Sequence, residues 1–362
     1  MADPLHTVLC ERLGCAYPVI QTAMGWVATP TLVTATCEAG AFGFLAGAVM
    51  TPPELKAAIA KVKATTDRPF GVNFHMFQPG AAEIVEIVIA EKVRAVSFGR
   101  GPDTAMIRRF RDAGVLCIPT VGALKHAVKM AELGCDMITV QGGEGGGHTG
   151  AVSTTVLLPQ VLDTVSIPVV AAGGFADGRG LAAALAYGAV GIAMGTRFLL
   201  TQESPAPQSV KAEYLKADAD RIIVTTKVDG VPQRMVRNPM LDRIESAGPI
   251  GRWLRAFEAG LLMKRATGAR WSDLIKAARG MTRHGGLDLQ QAMMAASAPM
   301  LIQKAVVEGD AKGGLMASGQ VAGRIIDLPT ARDLIERIVA DARARLDALG
   351  AAPEPLKTRR TA

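Results

Sequence analysis

One histidine set among glycines offers the clearest chemistry in this chain. The stretch QGGEGGGHTG (Gln141–Gly150) holds six glycines around His148. It follows Met137-Ile138-Thr139-Val140, an apolar run with the pattern of a buried strand. An imidazole titrates near neutral pH, so His148 is suited to take or give a proton. Glycines let a backbone come close to something flat or anionic. Such a loop after a strand is a place for chemistry, whereas a mere linker has no reason to lie between two buried segments.

Two further turns have the composition of an anion cradle. Ala171–Gly178 (AAGGFADG) joins an apolar run to a helical one, and Gly191–Met194 leads into Gly195-Thr196-Arg197. Backbone N–H groups at such turns, backed by a helix start, hold phosphate. Asp177 beside a helix start reads as a cap rather than a catalyst.

Elements that would position these loops recur along the first 200 residues. Strands are predicted near Val19–Ala23, Phe42–Leu45, Phe70–Phe74, Ala95–Phe98, Val115–Ile118, Met137–Val140, Val169–Ala172 and Gly191–Met194. Helical stretches such as Pro53–Ala64, Ala82–Glu91, Leu124–Glu132 and Gly178–Tyr187 alternate with them. Eight such repeats predict an α/β fold of the (β/α)8 TIM-barrel type. The rival, a doubly wound open sheet, would want a GxGxxG turn after an early strand, and none is found. In a barrel, chemistry lies on loops after the strand ends, where Met24-Gly25, Asn73, the His148 loop, Gly173-Gly174 and Gly195-Thr196 all fall.

After Leu200 the rhythm changes. The expected division is a barrel over 1–204, a mostly helical insertion or cap near the C-terminus over 205–300, helices packing back on the barrel over 301–349, and a disordered tail over 350–362. The segment Ala331–Leu349 is amphipathic. Gly180–Thr196 carries no charge and is nearly long enough to span a membrane, but Gly188, Gly191 and Gly195 break it into helix, turn and strand.

Composition narrows the partners. The chain has 362 residues, 49% of them hydrophobic and only 4% aromatic, which suits a large core of small aliphatic side chains. Its net charge of +7 forms no basic stripe interleaved with aromatics, so nucleic acid is not expected, although anionic small molecules are favoured. The five cysteines (Cys10, Cys15, Cys37, Cys117, Cys135) include no CxxC pair and follow no signal-like segment, which predicts reduced thiols in a cytoplasmic protein. Cys37, Cys117 and Cys135 lie in apolar contexts and are expected to be buried. No histidines or cysteines have metal-ligand spacing, so no metal is predicted.

A phosphate cradle plus a glycine-lined loop suggests a flat phosphorylated cofactor across the barrel mouth. Flavin mononucleotide (FMN) fits. Pyridoxal phosphate would need a lysine at a strand end, and Lys125 lies too far along, inside the following helix.

Several segments together resemble the nitronate monooxygenase (2-nitropropane dioxygenase) family. They are QTAMGWV (Gln21–Val27), the His148 loop, AAGGFADGRGLAAAL (Ala171–Leu185) and GTRFL (Gly195–Leu199). The resemblance spans about residues 5–345. It implies an FMN-dependent barrel with relatives among flavin-type enoyl reductases and NADH:quinone reductases. QTAMGWVA (Gln21–Ala28), Arg68–Asn73, VQGGEGGGHTG (Val140–Gly150), VTTKVDG (Val224–Gly230) and MASGQVAG (Met316–Gly323) are similar to a branch that dehydrogenates a steroid C/D-ring coenzyme A ester. The resemblance makes His148 the active-site histidine. It puts FMN contacts on Ala23, Met24, Gly25, Asn73, Gln141 and Gly146, and phosphate contacts on Gly173, Gly174, Gly195 and Thr196. NAD(P)H is a candidate electron donor or acceptor, and a homodimer a candidate assembly. Phe74-His75-Met76 and Arg279–His284 depart from the nitronate monooxygenase pattern, which bears on the substrate rather than the flavin.

Three functions follow. The first is dehydrogenation or reduction beside a thioester or ketone, with Arg234, Arg237, Lys264, Arg265 and Arg283 as candidates for coenzyme A phosphates. The second is oxidation of alkyl nitronates by oxygen, which wants a small closed pocket. The third is a non-catalytic flavin binder, against which the intact histidine loop argues. Among the other histidines, His75 could face the mouth, His126 could support the site from behind, His284 could touch substrate, and His6 is expected to be exposed.

Overall fold

The computed structural model describes residues 3–76, 78–99, 104–248, 261 and 289–350. Strand and helix alternate from the start. The first half-turn of the fold contains α1 (Val8–Leu13), β1 (Val19–Gln21), α2 (Pro30–Glu38), β2 (Phe42–Ala46), α3 (Pro52–Lys63), β3 (Gly71–His75), α4 (Ala81–Ala90), β4 (Ala95–Gly99) and α5 (Thr104–Asp112). The second contains β5 (Leu116–Cys117), β6 (Thr120–Val121), α6 (Leu124–Glu132), β7 (Ile138–Gln141), β8 (Gly147–His148), α7 (Thr154–Leu162), β9 (Val169–Ala172), α8 (Gly178–Tyr187), β10 (Ile192–Met194) and α9 (Thr196–Leu199).

The parallel sheet runs in the order β5-β4-β3-β2-β1-β10-β9-β7-β6. Its two ends, β5 and β6, are pieces of one stretch, 116–121, divided at Pro119. The Ile118 N–H donates to the Val96 carbonyl on one side at 2.8 Å. The Pro119 carbonyl accepts from the Thr139 N–H on the other at 2.9 Å. This stretch therefore bridges β4 and β7 and closes a ring of eight, the barrel expected from the sequence. The fifth strand was predicted near Val115–Ile118; β5 lies within that range, and the strand resumes after Pro119 as β6. Proline lacks the N–H that a continuous ladder needs, so the strand is split.

Alternation along the strands sorts side chains between two cores. Ile20, Phe42, Phe44, Ala95, Ile118, Val170, Ala172 and Ala193 form the interior cluster, and Leu9 and Leu13 of α1 pack into it as a plug. Val19, Leu45, Val72, Phe74, Val96 and Ile138 join the second cluster beneath the helices. Phe44 fits inside the narrow barrel because its neighbour on β3 is Gly71, where a Cβ would lie 2.3 Å from the ring. The buried thiols of Cys37, Cys117 and Cys135 follow expectation, and all five cysteines are free.

Beyond the eighth strand come α10 (Gln208–Leu215), β11 (Ile222–Thr225), β12 (Gln233–Val236), α11 (Pro239–Glu245), α12 (Leu289–Val306) and α13 (Ala331–Gly350). The region after 205 was predicted to be mostly helical; among the described residues it holds these helices and, in addition, the strands β11 and β12. They form an antiparallel hairpin on which β8 pairs as a third strand. The signal was present in Asp229-Gly230, a turn dipeptide between two β-rich runs. The amphipathic helix α13 packs on α8 and α2, covering the gap between the seventh and first barrel helices. Arg197 of α9 is almost wholly buried and reaches Asp327 Oδ1 at 2.9 Å and the Leu200 carbonyl at 3.0 Å, fastening the barrel end to the segment before α13. The membrane-length apolar stretch is α8, a turn and β10; among the described residues no helix is long and apolar enough to cross a membrane.

Replacing Gly71 by Ala should destabilise the protein by about 1–3 kcal/mol through overpacking against Phe44. Adding Phe44→Leu should recover part of that loss. Chemical denaturation of the two variants and of the wild type checks this.

Candidate active site

The His148 loop is built by backbone contact. A Cβ at Gly142 would lie 2.1 Å from Thr154 Oγ1, and one at Gly150 would lie 2.5 Å from the Gly122 carbonyl oxygen. A Cβ at Gly145 would meet the Gln141 side chain, and one at Gly146 would lie 2.5 Å from the Gly319 nitrogen. The sequence reading gave these glycines to a bound ligand. In the structure four of the six are required by the protein's own packing. Glu144 in the same loop accepts from the Thr154 N–H at 2.9 Å and from Thr154 Oγ1 at 2.7 Å, which caps α7.

His148 sits on β8, opposite Gln233 of β12. Its side chain is 59% exposed, while that of Asp229 is 13% exposed. His148 Nε2 lies 2.7 Å from Asp229 Oδ2. Gln233 Nε2 donates to the same oxygen, and the Val231 N–H donates to Asp229 Oδ1 at 3.1 Å. Gln141 Nε2 donates to the His148 carbonyl at 2.9 Å, so its amide steadies the histidine's backbone. Burial pushes the Asp229 carboxyl up, but the His148 hydrogen bond and charge, with Val231 and Gln233, outweigh it and hold it below the usual carboxylate range. Sequence reasoning missed Asp229 and Gln233. Both lie more than 80 residues from His148, and only the hairpin brings them across.

The two expected cradle turns stand side by side. Ile192 and Ala193 of β10 pair with Ala171 and Ala172 of β9, so Gly195-Thr196 leaves the sheet beside Gly173-Gly174. Gly173 and Gly174 have φ of 94° and 84°, a region that favours glycine. Among the described residues, the N–H groups of Gly174, Gly195 and Thr196 have no acceptor. A Cβ at Gly195 would lie 3.5 Å from Met24 Sδ, which brings the loop after β1 to the same place. Three unpaired donors at adjacent strand ends, open to an anion, fit the phosphate of FMN. Thr196 Oγ1 accepts from the Gly319 N–H at 2.9 Å, which leaves the hydroxyl's own proton to donate.

The remaining predicted positions also lie at the mouth. Ala23 is half-buried against the interior cluster. The Met24 carbonyl accepts from Val27 and Ala28. A Cβ at Gly25 would meet Val49. Asn73 takes an inward place between the outward Val72 and Phe74, and its Nδ2 donates to the Ser97 carbonyl at 3.1 Å. Asp177 caps α8 by accepting from the Gly180 N–H and also pairs with Arg179 and Arg324.

Two of the proposed phosphate-binding arginines are engaged elsewhere. Arg234 Nε and Nη2 donate to the Gly143 carbonyl at 3.0 and 2.7 Å, and its Nη1 donates to the Ile222 carbonyl at 3.2 Å. Arg237 pairs with Asp242 at 2.6 Å. Lys264, Arg265, Arg283 and His284 lie outside the described residues. His6 and His126 are exposed, His126 on α6. His75 ends β3 exposed, with its N–H bonded to Gln78 Oε1.

Comparisons with known proteins agree with this geometry. A profile of the nitronate monooxygenase family matches residues 6–87 and 82–341. The chain is 52% identical to a (3aS,4S,5R,7aS)-5-hydroxy-7a-methyl-1-oxo-octahydro-1H-indene-4-carboxyl-CoA dehydrogenase of Rhodococcus jostii, covering 96% of this chain and 98% of that one. It is 50% identical to the protein of the same name from Mycobacterium tuberculosis, over 97% and 99% of the two chains. Among solved structures, FabK from Thermotoga maritima superposes with a TM-score of 0.76 at 33% identity, covering 95% of this chain and 98% of that one. A nitroalkane oxidase from Streptomyces ansochromogenes gives 0.75 at 28% identity, covering 94% and 99%. The chain is an oxidoreductase and belongs to the nitronate monooxygenase family.

Proposed function

We propose that the protein is an FMN-dependent dehydrogenase of a coenzyme A ester, acting on a C–C bond beside the thioester in steroid-ring degradation. The observation that carries the substrate class is the near-complete coverage at 52% and 50% identity of two dehydrogenases named for such an ester. The unpaired N–H groups of Gly174, Gly195 and Thr196 support FMN as the cofactor, with Met24 beside them. Bound FMN supplies the acceptor for the hydride that leaves the carbon β to the thioester.

His148 provides the proton chemistry. With Nε2 engaged by Asp229, its other ring nitrogen, Nδ1, has no partner among the described residues. Nδ1 takes the proton from the carbon α to the thioester, whose carbonyl makes that proton acidic. Loss of one proton and one hydride leaves an enoyl thioester and balances the two-electron change. The same groups run in reverse reduce the enoyl ester. The β11–β12 hairpin, which pairs with β8 beside His148, forms the substrate side of the site in this reading. The coenzyme A phosphates go to groups other than Arg234, whose three guanidinium nitrogens already hold backbone carbonyls.

The His148→Ala variant should bind FMN normally, with its turnover of the indene-4-carboxyl-CoA ester lowered by about 10²-fold or more. Retention of full turnover would remove His148 from the chemistry. Rapid aerobic turnover of an alkyl nitronate, with no reduction of the flavin by the coenzyme A ester, would instead favour nitronate oxidation.

Adding FMN to flavin-free protein should raise its thermal midpoint, by about 2.7 kcal/mol of stability at a hundred times the dissociation constant. Inorganic phosphate should compete with FMN if the cradle is as assigned.

A further inference from the structure

The hydrogen-bond pattern around Asp229 decides which nitrogen of His148 carries the proton. Asp229 Oδ2 lies 2.7 Å from His148 Nε2 and also receives Gln233 Nε2. The two nitrogens are 3.2 Å apart, as two donors sharing one oxygen would be. An unprotonated Nε2 would set its lone pair against a carboxylate at 2.7 Å, which is repulsive. Turning the Gln233 amide over would set its oxygen against the same carboxylate. The only arrangement with every donor facing an acceptor has Nε2–H donating to Asp229. Neutral His148 then bears its lone pair on Nδ1.

We propose that Asp229 is a positioning residue that fixes His148 in the Nε2–H tautomer and so keeps Nδ1 free to accept the substrate proton. Gln233 and the Val231 N–H hold the carboxylate in place for that task. The inference rests on His148 being the base and deepens that reading. The carboxylate also stands ready to balance the imidazolium formed when the proton arrives, in a place mostly shielded from water.

The substitution Asp229→Asn tests the tautomer because the new amide has only two ways to sit. With its NH2 in the place of Oδ1, it would face the fixed Val231 N–H, donor against donor. With its NH2 in the place of Oδ2, it faces Gln233, which can turn over, and His148, which can shift its proton to Nδ1. The second arrangement wins, and it leaves His148 unable to accept a proton at Nδ1.

The experiment is performed on the FMN-loaded protein with 15N-labelled histidine. The imidazole nitrogen shifts are read at about pH 8.5, where a free imidazole is neutral. His148→Ala assigns the His148 signals among the five histidines. The wild type should show protonated Nε2 and bare Nδ1, and Asp229→Asn the reverse. In parallel, turnover of the indene-4-carboxyl-CoA ester should fall about 10²-fold or more in kcat for Asp229→Asn, with KM changed far less and FMN content unchanged. A wild-type Nδ1–H signal, or an Asn variant with unchanged tautomer and kcat, overturns the proposal. If His148→Ala abolishes turnover while Asp229→Asn does not, positioning alone fails. If His148→Ala turns over normally, the assignment of the base fails with it.

Discussion

The approach of Gly146 to Ser318-Gly319, too close for any side chain, is the contact that the site depends on. It brings the segment after α12 against the histidine loop. The Gly319 N–H then reaches Thr196 Oγ1, and the Gln320 N–H reaches the Glu144 carbonyl at 2.9 Å. One strap thus joins the loop after β7 to the turn after β10. Glu144 carries the connection further, because its carboxylate caps α7 while its backbone holds the strap. The cradle turns and the histidine loop are parts of one hydrogen-bonded unit, and neither has its geometry without the other.

The hairpin works on the opposite side of the same loop. Pairing of β8 with β12 fixes the register, so His148 falls opposite Gln233, with Asp229 four residues before Gln233 in the turn. Arg234, next along β12, clamps the Gly143 carbonyl. Burial draws the Arg234 guanidinium below its ordinary range, against the nearby Glu144 charge, and its full set of carbonyl partners meets that cost. The loop is therefore gripped from both edges, by the strap at Gly146 and by the hairpin at Gly143 and His148. A side chain that is more than half exposed nevertheless has a defined direction, since its backbone and its Nε2 are both held.

How much of this was legible in the sequence differs from part to part. The eight strands were, because parallel barrel strands covered on both faces leave short apolar runs separated by helix-length spacers. The two neighbouring glycine turns were, because Gly173-Gly174 and Gly195-Thr196 each follow a strand directly. The break at Pro119 was visible as a residue but not as a strand split across the closure of a ring. Four of the loop glycines also answer to the protein's own packing, which composition does not show. Composition shows that a side chain is not tolerated, yet whether ligand or protein occupies the space is a fact of distant packing. The Asp229–His148 pair was out of reach for the same reason: their separation along the chain carries no period, and the hairpin that joins them was read as helix.

The position of the strap along the chain also sets the order in which the site can come into being. All eight barrel strands and the histidine loop lie within the first 200 residues. The residues that lock Gly146, Glu144 and Thr196 in place begin near 316, and the helix that covers the gap between the first and seventh barrel helices is later still. A ribosome releases the barrel strands long before it releases what fastens the histidine loop, and these contacts are among the most distant in sequence. A nascent or C-terminally truncated chain accordingly holds the barrel strands and the histidine loop without the contacts that Ser318, Gly319 and Gln320 make to them.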